Sequence, residues 1–378
     1  MKMTFLKSLF LTAVLPILVS CKGGGTVTIL ENATSIEMKY ASLLTLQEGE
    51  GFVLAQIKNP WDTTSILHSY VLVPREREMP SQLPEGEIIR TPLSHTLIYT
   101  SVHVSLVDEL GAYNTISGLC DQQYMYLDKI RHDIALGKIV DCGMSQSPDM
   151  ERIIDLSPDA ILLSPFENSG TYGKLGSLGI PIIECADYME TGALARAEWM
   201  RFYGLLVGRR ETADSLFAEI ESDYNALKNL VKDVNRKPTV VCGKKFGSSW
   251  HVAGANSTIG MLVADAGGTY IFSDEPAIGS VPYDPEQVFD KSQHADLWMF
   301  KYRQDVPLTY TQLAQEWSNY AEMNAFKQKN IYGCNLAKVT YYEDTPFHPN
   351  LLLRDYIKVF HPDVLPDYEP KYFTKLNE

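Results

Sequence analysis

From Thr96 onward the chain repeats one pattern: a short apolar run, a polar or glycine-bearing break, then a helical stretch. The runs are "TLIYT" (96–100), "TISGLC" (115–120), "DAILLS" (159–164), "IPIIEC" (180–185), "TVVCG" (239–243), "ADLWMF" (295–300) and "NIYGC" (330–334). A strand with one wet face alternates apolar and polar residues. A continuous apolar run fits a strand buried on both faces, as in a parallel sheet. Each parallel step needs a crossover, usually a helix. The pattern therefore points to an α/β fold with parallel sheets.

A helical segment, about 191–235, divides these runs into two groups. Leu216, Phe217, Ile220, Tyr224, Leu227, Leu230 and Val231 recur at steps of three and four, and no proline falls between Thr191 and Arg236. Twenty helical residues span about 30 Å, enough to cross one lobe and reach the next. Gly204 and Gly208 are the points at which it could divide into two helices. The expected layout is an N-terminal lobe (93–190), a connecting helix (191–235) and a C-terminal lobe (236–378). Residues 21–92 differ in texture. "TVTIL", "GFVLAQI" and "HSYVLV" read as strands separated by the turn signals "EGEG" and "NPWD". Pro74 to Pro92 holds four prolines and reads as a loop. A β-rich extension thus precedes the lobes.

Residues 1–20 form a different kind of segment. Lys2 and Lys7 flank a charged start, and an apolar run follows from Leu9 to Val19, interrupted by Pro16. Spanning a bilayer takes about 20 apolar residues, so this run reads as a secretory signal. Leu18-Val19-Ser20-Cys21 resembles a lipobox, which implies cleavage before Cys21 and a lipid on its sulfur. Lys22-Gly23-Gly24-Gly25 would then be a flexible tether.

Composition excludes several classes. The net charge of −14 weighs against broad nucleic-acid binding, which needs basic surface. Of six cysteines one is Cys21, and the other five cannot all pair. No C-x-x-C spacing occurs, and Cys185, Cys242 and Cys334 each end an apolar run, as small buried hydrophobes do. G-x-S-x-G, Walker A and H-E-x-x-H motifs are absent, as is a spaced His and carboxylate set for a metal. The expectation is a binding protein rather than an enzyme, with no cofactor and no metal site of its own.

Ligands of open α/β sheets sit beyond the carboxyl ends of strands. The candidate contacts there are Ser101, His103, Phe166, Lys244, Lys245, Trp250, Tyr283 and Arg303. Cationic side chains pair with an anionic ligand, and aromatic ones cover its apolar faces. Other readings stay open: solvated loop lysines, a hydrogen-bonded structural His103, and Trp250 in the core.

A short acidic phrase occurs twice. "ERIIDLS" starts at Glu151 and "EQVFDKS" at Glu286, each after a proline turn. Ser147 is the expected cap of the first helix, with Pro148 in its first position. Asp284 caps the second, with Pro285 in first position and Gln287 completing a capping box. An anion in a first helical turn gains about 0.3–1 kcal/mol, so two ordinary helix starts are one explanation. A second comes from the wider context. "SPDMERIIDLSPDAILL" and "DPEQVFDKSQHADLWM" resemble the first- and second-lobe signatures of ABC-transporter substrate-binding proteins of the metal-chelate group. Glu151, Ile153, Pro158 and Asp159 fill the first set of places; Glu286, Val288, Ala295 and Asp296 fill the second. "KLGSLGIPII", "RFYGLLVG" and "HPDVLPDYEPKYFTKL" follow in family order, so the resemblance covers about 93–378 and leaves 26–92 outside it.

The resemblance implies a class III periplasmic binding protein: two Rossmann-like lobes joined by a long helix. It implies that Glu151 and Glu286 each pair with arginines of an inner-membrane permease dimer. It implies a monomer of the periplasm or cell envelope, lipid-anchored to the membrane. It also implies a transported ligand, which is a ferric siderophore, haem or cobalamin. The Lys and Arg content of the expected cleft ranks iron complexes above cobalamin.

Overall fold

The computed structural model describes residues 27–125, 127–167 and 172–378. The expected signal segment, Cys21 and the glycine tether lie outside the described residues.

The extension is one five-stranded sheet. Its strands are β1 (Thr34–Ile36), β2 (Leu44–Gly49), β3 (Phe52–Asn59), β4 (Asp62–Pro74) and β5 (Glu87–Thr91), in that order across the sheet. The first four pair antiparallel and β5 lies parallel to β4. Two expectations fail here. Of "TVTIL", the described residues 27–30 join no ladder, because Thr28 and Leu30 donate their backbone N–H groups to the side-chain amides of Gln56 and Gln47 (2.9 and 3.0 Å). The stretch from Pro74 to Pro92 is not all loop: its prolines leave Glu87–Thr91 free to pair, and that segment becomes β5.

The N-terminal lobe holds β6 (Thr96–Ile98), α1 (Ser101–Glu109), β7 (Ile116–Leu119), α2 (Asp128–Ala135) and β8 (Val140–Asp141). A two-stranded ladder of β9 (Gly143–Met144) and β10 (Ser147–Pro148) leads into α3 (Met150–Leu156), β11 (Ala160–Leu163) and β12 (Ile182–Glu184). Its sheet runs β12-β11-β6-β7-β8, with every pair parallel, as the apolar runs require. Three helices then cross to the second lobe: α4 (Ala193–Glu198), α5 (Met200–Leu206) and α6 (Arg210–Leu230). The breaks fall at Trp199 and at Gly208. Gly208 has φ +68°, and a Cβ there would lie 2.9 Å from Cβ of Pro92. Phe217, Ile220, Tyr224 and Leu227 form the buried stripe of α6, while Leu230 is exposed.

The C-terminal lobe contains β13 (Thr239–Cys242), β14 (Lys245–Phe246), β15 (Ser249–Ala253), α7 (Thr258–Asp265), β16 (Thr269–Tyr270), β17 (Ser280–Tyr283) and α8 (Pro285–Ser292). It continues with β18 (Leu297–Tyr302), α9 (Tyr310–Glu316), α10 (Asn324–Lys327), β19 (Ile331–Asn335), α11 (Tyr341–Asp344), α12 (Pro349–Phe360) and β20 (Thr374–Lys375). The main sheet is β16-β13-β18-β19-β20, parallel except for β20. A small antiparallel sheet, β14-β15-β17, stands beside it. The fold is α/β, two parallel-sheet lobes joined by helices, with the β-rich sheet in front.

Candidate functional site

The repeated phrase is a repeated fastening. Asp159, just before β11, accepts from the backbone N–H and hydroxyl of Ser94 (both 2.8 Å) and from the N–H of His95 (3.1 Å). Asp296, just before β18, accepts from the N–H and hydroxyl of Thr239 (2.8 and 2.9 Å). Each aspartate thus ties its own strand to the start of the lobe's first strand. Each also has an arginine, Arg75 at 2.7 Å and Arg236 at 3.0 Å. Burial acts to raise both carboxyls, but these donors outweigh it and hold both below the usual range. One acid of the shared pattern therefore has a structural task in both lobes.

The glutamates that lead the phrases have a different setting. Glu151 is exposed in the first turn of α3, and Glu286 is exposed in the first turn of α8. The cap of α3 is Asp149, not Ser147, because Ser147 and Pro148 are held in β10; Asp149 accepts from the N–H of Arg152 at 3.2 Å. Asp284 caps α8 with Pro285 in first position, and it accepts from the N–H of Glu286 (2.8 Å). Gln287 completes no capping box there. Asn319 donates to Glu286 at 3.3 Å.

The carboxyl ends of the parallel strands carry exposed aromatic side chains in both lobes. Tyr124 follows β7, Phe166 follows β11 and Tyr188 follows β12; Phe246 follows β13 and Tyr342 follows β19. Phe246 is the most open of these, at 83% exposure. Cations stand among them. Arg303 is exposed after β18; Lys244 pairs with Glu316 and lies 5.9 Å from the Phe300 ring. Lys245 is half-buried, and its N–H donates to the Tyr320 hydroxyl (2.9 Å). Tyr283 is half-buried and donates to Glu275 at 2.6 Å.

Two candidates are inside instead. Trp250 is fully buried among Trp298, Tyr320 and Trp317, with ring centroids at 5.9, 5.8 and 6.5 Å. Alternation along β15 points Trp250 and Val252 inward and His251 outward. His103 is on the inner face of α1 with Val104, Leu106 and Val107. Its Nδ1 lies 2.6 Å from the Thr100 hydroxyl and its Nε2 2.9 Å from Asp187. Asp187 also accepts from Arg196 (2.9 Å) and Tyr203 (2.8 Å). Burial alone would lower His103, but Cys185 and Asp187 outweigh it and push the imidazole up to about 10. Burial would raise Asp187, but His103 and Arg196 hold it down at about 2. This is a sealed ion pair, so neither Trp250 nor His103 offers surface to a ligand.

Sequence reasoning missed the segment that closes the lobes on each other. α11 packs on α1, and its Glu343 is a buried carboxyl that burial pushes up and that Ser101 and Arg303 act to lower. Phe347 packs 6.0 Å from the His103 ring and 5.8 Å from Tyr203, and His348 lies 2.8 Å from Glu109. Nothing in "TYYEDTPFHP" signals that role. A cavity of about 520 Å³ opens elsewhere, at the Gly208 break, between the extension and the helices; none of these strand-end residues lines it. Among the described residues no group of His, Cys, Asp and Glu could hold a metal ion, and no helix is long and apolar enough to cross a membrane.

Solved structures share this fold. A periplasmic haem-binding protein from Pseudomonas aeruginosa superposes with a TM-score of 0.57 at 13% identity, covering 76% of this chain and 99% of that one. An Fe3+-hydroxamate transport protein from Saccharomonospora viridis gives 0.56 at 17% identity, covering 71% and 94%. An uncharacterized lipoprotein of Methanocaldococcus jannaschii is 25% identical over 305 residues, which is 77% of this chain and 70% of that protein. Residues 103–336, well over half of the chain, match the family model described as periplasmic binding protein. The family is one of solute-binding proteins rather than enzymes, and this chain belongs to it.

Proposed function

We propose that the chain is the solute-binding component of an ABC importer, taking an iron complex, a ferric siderophore or haem, between its lobes and handing it to an inner-membrane permease. One observation carries this reading. Both lobes of a periplasmic binding protein present an exposed glutamate, Glu151 and Glu286, at matching first turns of helices. Two separated anionic points suit a two-fold partner with arginines, since two pairs fix position and orientation together. The aromatic rings and cations beyond the strand ends suit a bulky ligand with anionic groups. The names of the haem-binding and Fe3+-hydroxamate proteins support the ligand class. A lipid on Cys21 would hold the body at the membrane, and the relative described as a lipoprotein supports that.

The test is the protein's own cargo. The chain is purified from cells supplied with iron, haem and cobalamin, and its visible spectrum and the mass of its bound ligand are recorded. A Soret band or a broad charge-transfer band is expected, from haem or a ferric siderophore. A corrin spectrum overturns the iron reading in favour of cobalamin. Absence of all three, with no binding at micromolar concentration, overturns the class of ligand. A working scavenger holds its ligand at nM to µM, about −8 to −12 kcal/mol.

A further inference from the structure

Five consecutive backbone N–H groups of the extension end on two buried carboxylates. Lys39 donates to Oε1 of Glu198 at 2.7 Å; Tyr40 and Ala41 donate to its Oε2, both at 2.8 Å. Ser42 donates through its N–H (3.0 Å) and hydroxyl (2.9 Å) to Oε2 of Glu190, and Leu43 donates to Oε1 at 2.8 Å. Trp199 adds its indole N–H to Glu190 at 2.9 Å, and Arg201 stands 3.5 Å from Glu198. Glu190 and Glu198 are shut off from water. A buried carboxylate is tolerated only when its lone pairs are filled, and here the extension supplies most of the donors.

The two acids belong to the passage between the lobes. Glu190 precedes α4 and Glu198 ends it, immediately before the break at Trp199. The extension holds the following helices as well. Arg201 of α5 donates to the carbonyl of Glu37 (2.6 Å), and Tyr40 donates to Glu221 of α6 (2.6 Å). Arg210 of α6 pairs with Glu48 of β2 (3.0 Å). At the second break, Leu93 donates to the carbonyl of Leu206 (2.8 Å), and Pro92 lies against Gly208. Both breaks in the interlobe helices are therefore gripped by residues 37–93.

We infer that the extension is a brace on the hinge, and that Glu190 and Glu198 are positioning residues that set the angle between the lobes for solute capture. The inference rests on the reading of the chain as a two-lobed solute carrier. Swinging the lobes means bending α4 to α6, and bending at Trp199 moves Glu190 and Glu198 together against Arg201 of α5 and Glu221 of α6. Residues 37–43, which are bonded to both sides of that break, could not then keep both sets of contacts. The brace favours small excursions over a wide clamp motion.

The test reads the lobe angle without ligand, so it stands whichever solute the protein carries. Spin labels go on Asp155→Cys in α3 and Asp290→Cys in α8, both exposed positions, in the full chain. The five cysteines among the described residues are buried. A single narrow distance distribution is expected. Glu190→Gln with Glu198→Gln should widen it at least twofold while far-ultraviolet circular dichroism is retained. An unchanged width in the folded variant, with only its melting temperature lowered, overturns the inference and leaves a stability role. Hydrogen exchange on the unaltered chain decides the matter if the variant does not fold. Amides 39–43 and those of α5 should exchange within tenfold of each other, because brace and hinge open as one unit. A gap larger than tenfold overturns it.

Discussion

Nε2 of His103 lies 2.9 Å from Oδ1 of Asp187, and Phe347 of the opposite lobe covers the imidazole ring. Removing His103 leaves the buried Asp187 carboxylate to Arg196 and Tyr203 alone, a loss of about 3 kcal/mol, the low end for breaking a buried pair. His103→Gln should therefore lower stability by about that amount in urea titration. The sign with pH follows from the directions of shift. His103 is raised to about 10, so its contribution is complete below about 6.5 and fades as pH rises toward 10. Asp187 is lowered to about 2, so its contribution is complete above 3.8 and fades as pH falls toward 2. His103→Gln should flatten the alkaline limb of the stability curve. An unchanged alkaline limb would falsify the assignment.

Glu151 and Glu286 are exposed, and substituting surface residues changes stability within about 0.5 kcal/mol. Glu151→Ala with Glu286→Ala should leave melting temperature and ligand affinity near those of the unaltered chain while abolishing uptake in cells. Retained uptake would remove the docking role.

Asp159 and Asp296 invite the opposite experiment. Each fills with backbone and hydroxyl donors from a neighbouring strand. Replacement by Ala removes these bonds, and because Ser94 is exposed and Thr239 half-buried their donors turn to water, so each bond lost costs about 0.5–1.5 kcal/mol. The two losses should be similar and additive, since the sites lie in separate lobes. Both carboxyls are held low, so the losses should be seen at neutral pH and shrink as pH falls below about 3.8. Equal unfolding midpoints for variants and parent at pH 7 would count against the fastening.

Phe246 and Trp250 sit four residues apart with opposite exposure. Trp250→Ala should cost about 3–5 kcal/mol, as deletion of a buried aromatic does. Phe246→Ala should cost less than about 0.5 kcal/mol yet weaken ligand binding. Equal thermal shifts for the two variants would contradict this arrangement.

Periodicity made the architecture legible. Each apolar run from Thr96 on contains or closely overlaps a strand of a parallel sheet, because burial on both faces writes itself directly into composition. The extension was harder to read. Thr28 and Leu30 look like strand residues, but glutamine side chains take their N–H groups, and no local rule foretells that. In the candidate site, Phe166 and Arg303 are at the surface. Trp250 and His103 are inside, because the alternation of a short hairpin strand and the inner face of α1 decide which way they point. Glu198 did carry a signal, a lone acid within the apolar helical stretch "ALARAEWM". Glu343 carried none, since its setting is made by a helix of the other lobe.

Tyr70 bears on self-association. β12 is the outermost strand of its sheet, and the Tyr70 phenol both donates to the carbonyl of Ile182 (2.8 Å) and accepts from the N–H of Glu184 (2.9 Å). Those are seats that a strand from a neighbouring molecule would otherwise take in edge-to-edge polymerisation. One hydroxyl from the extension works as a stopper on the sheet, so Tyr70→Phe, which keeps the ring, should make the protein sticky before it makes it unstable.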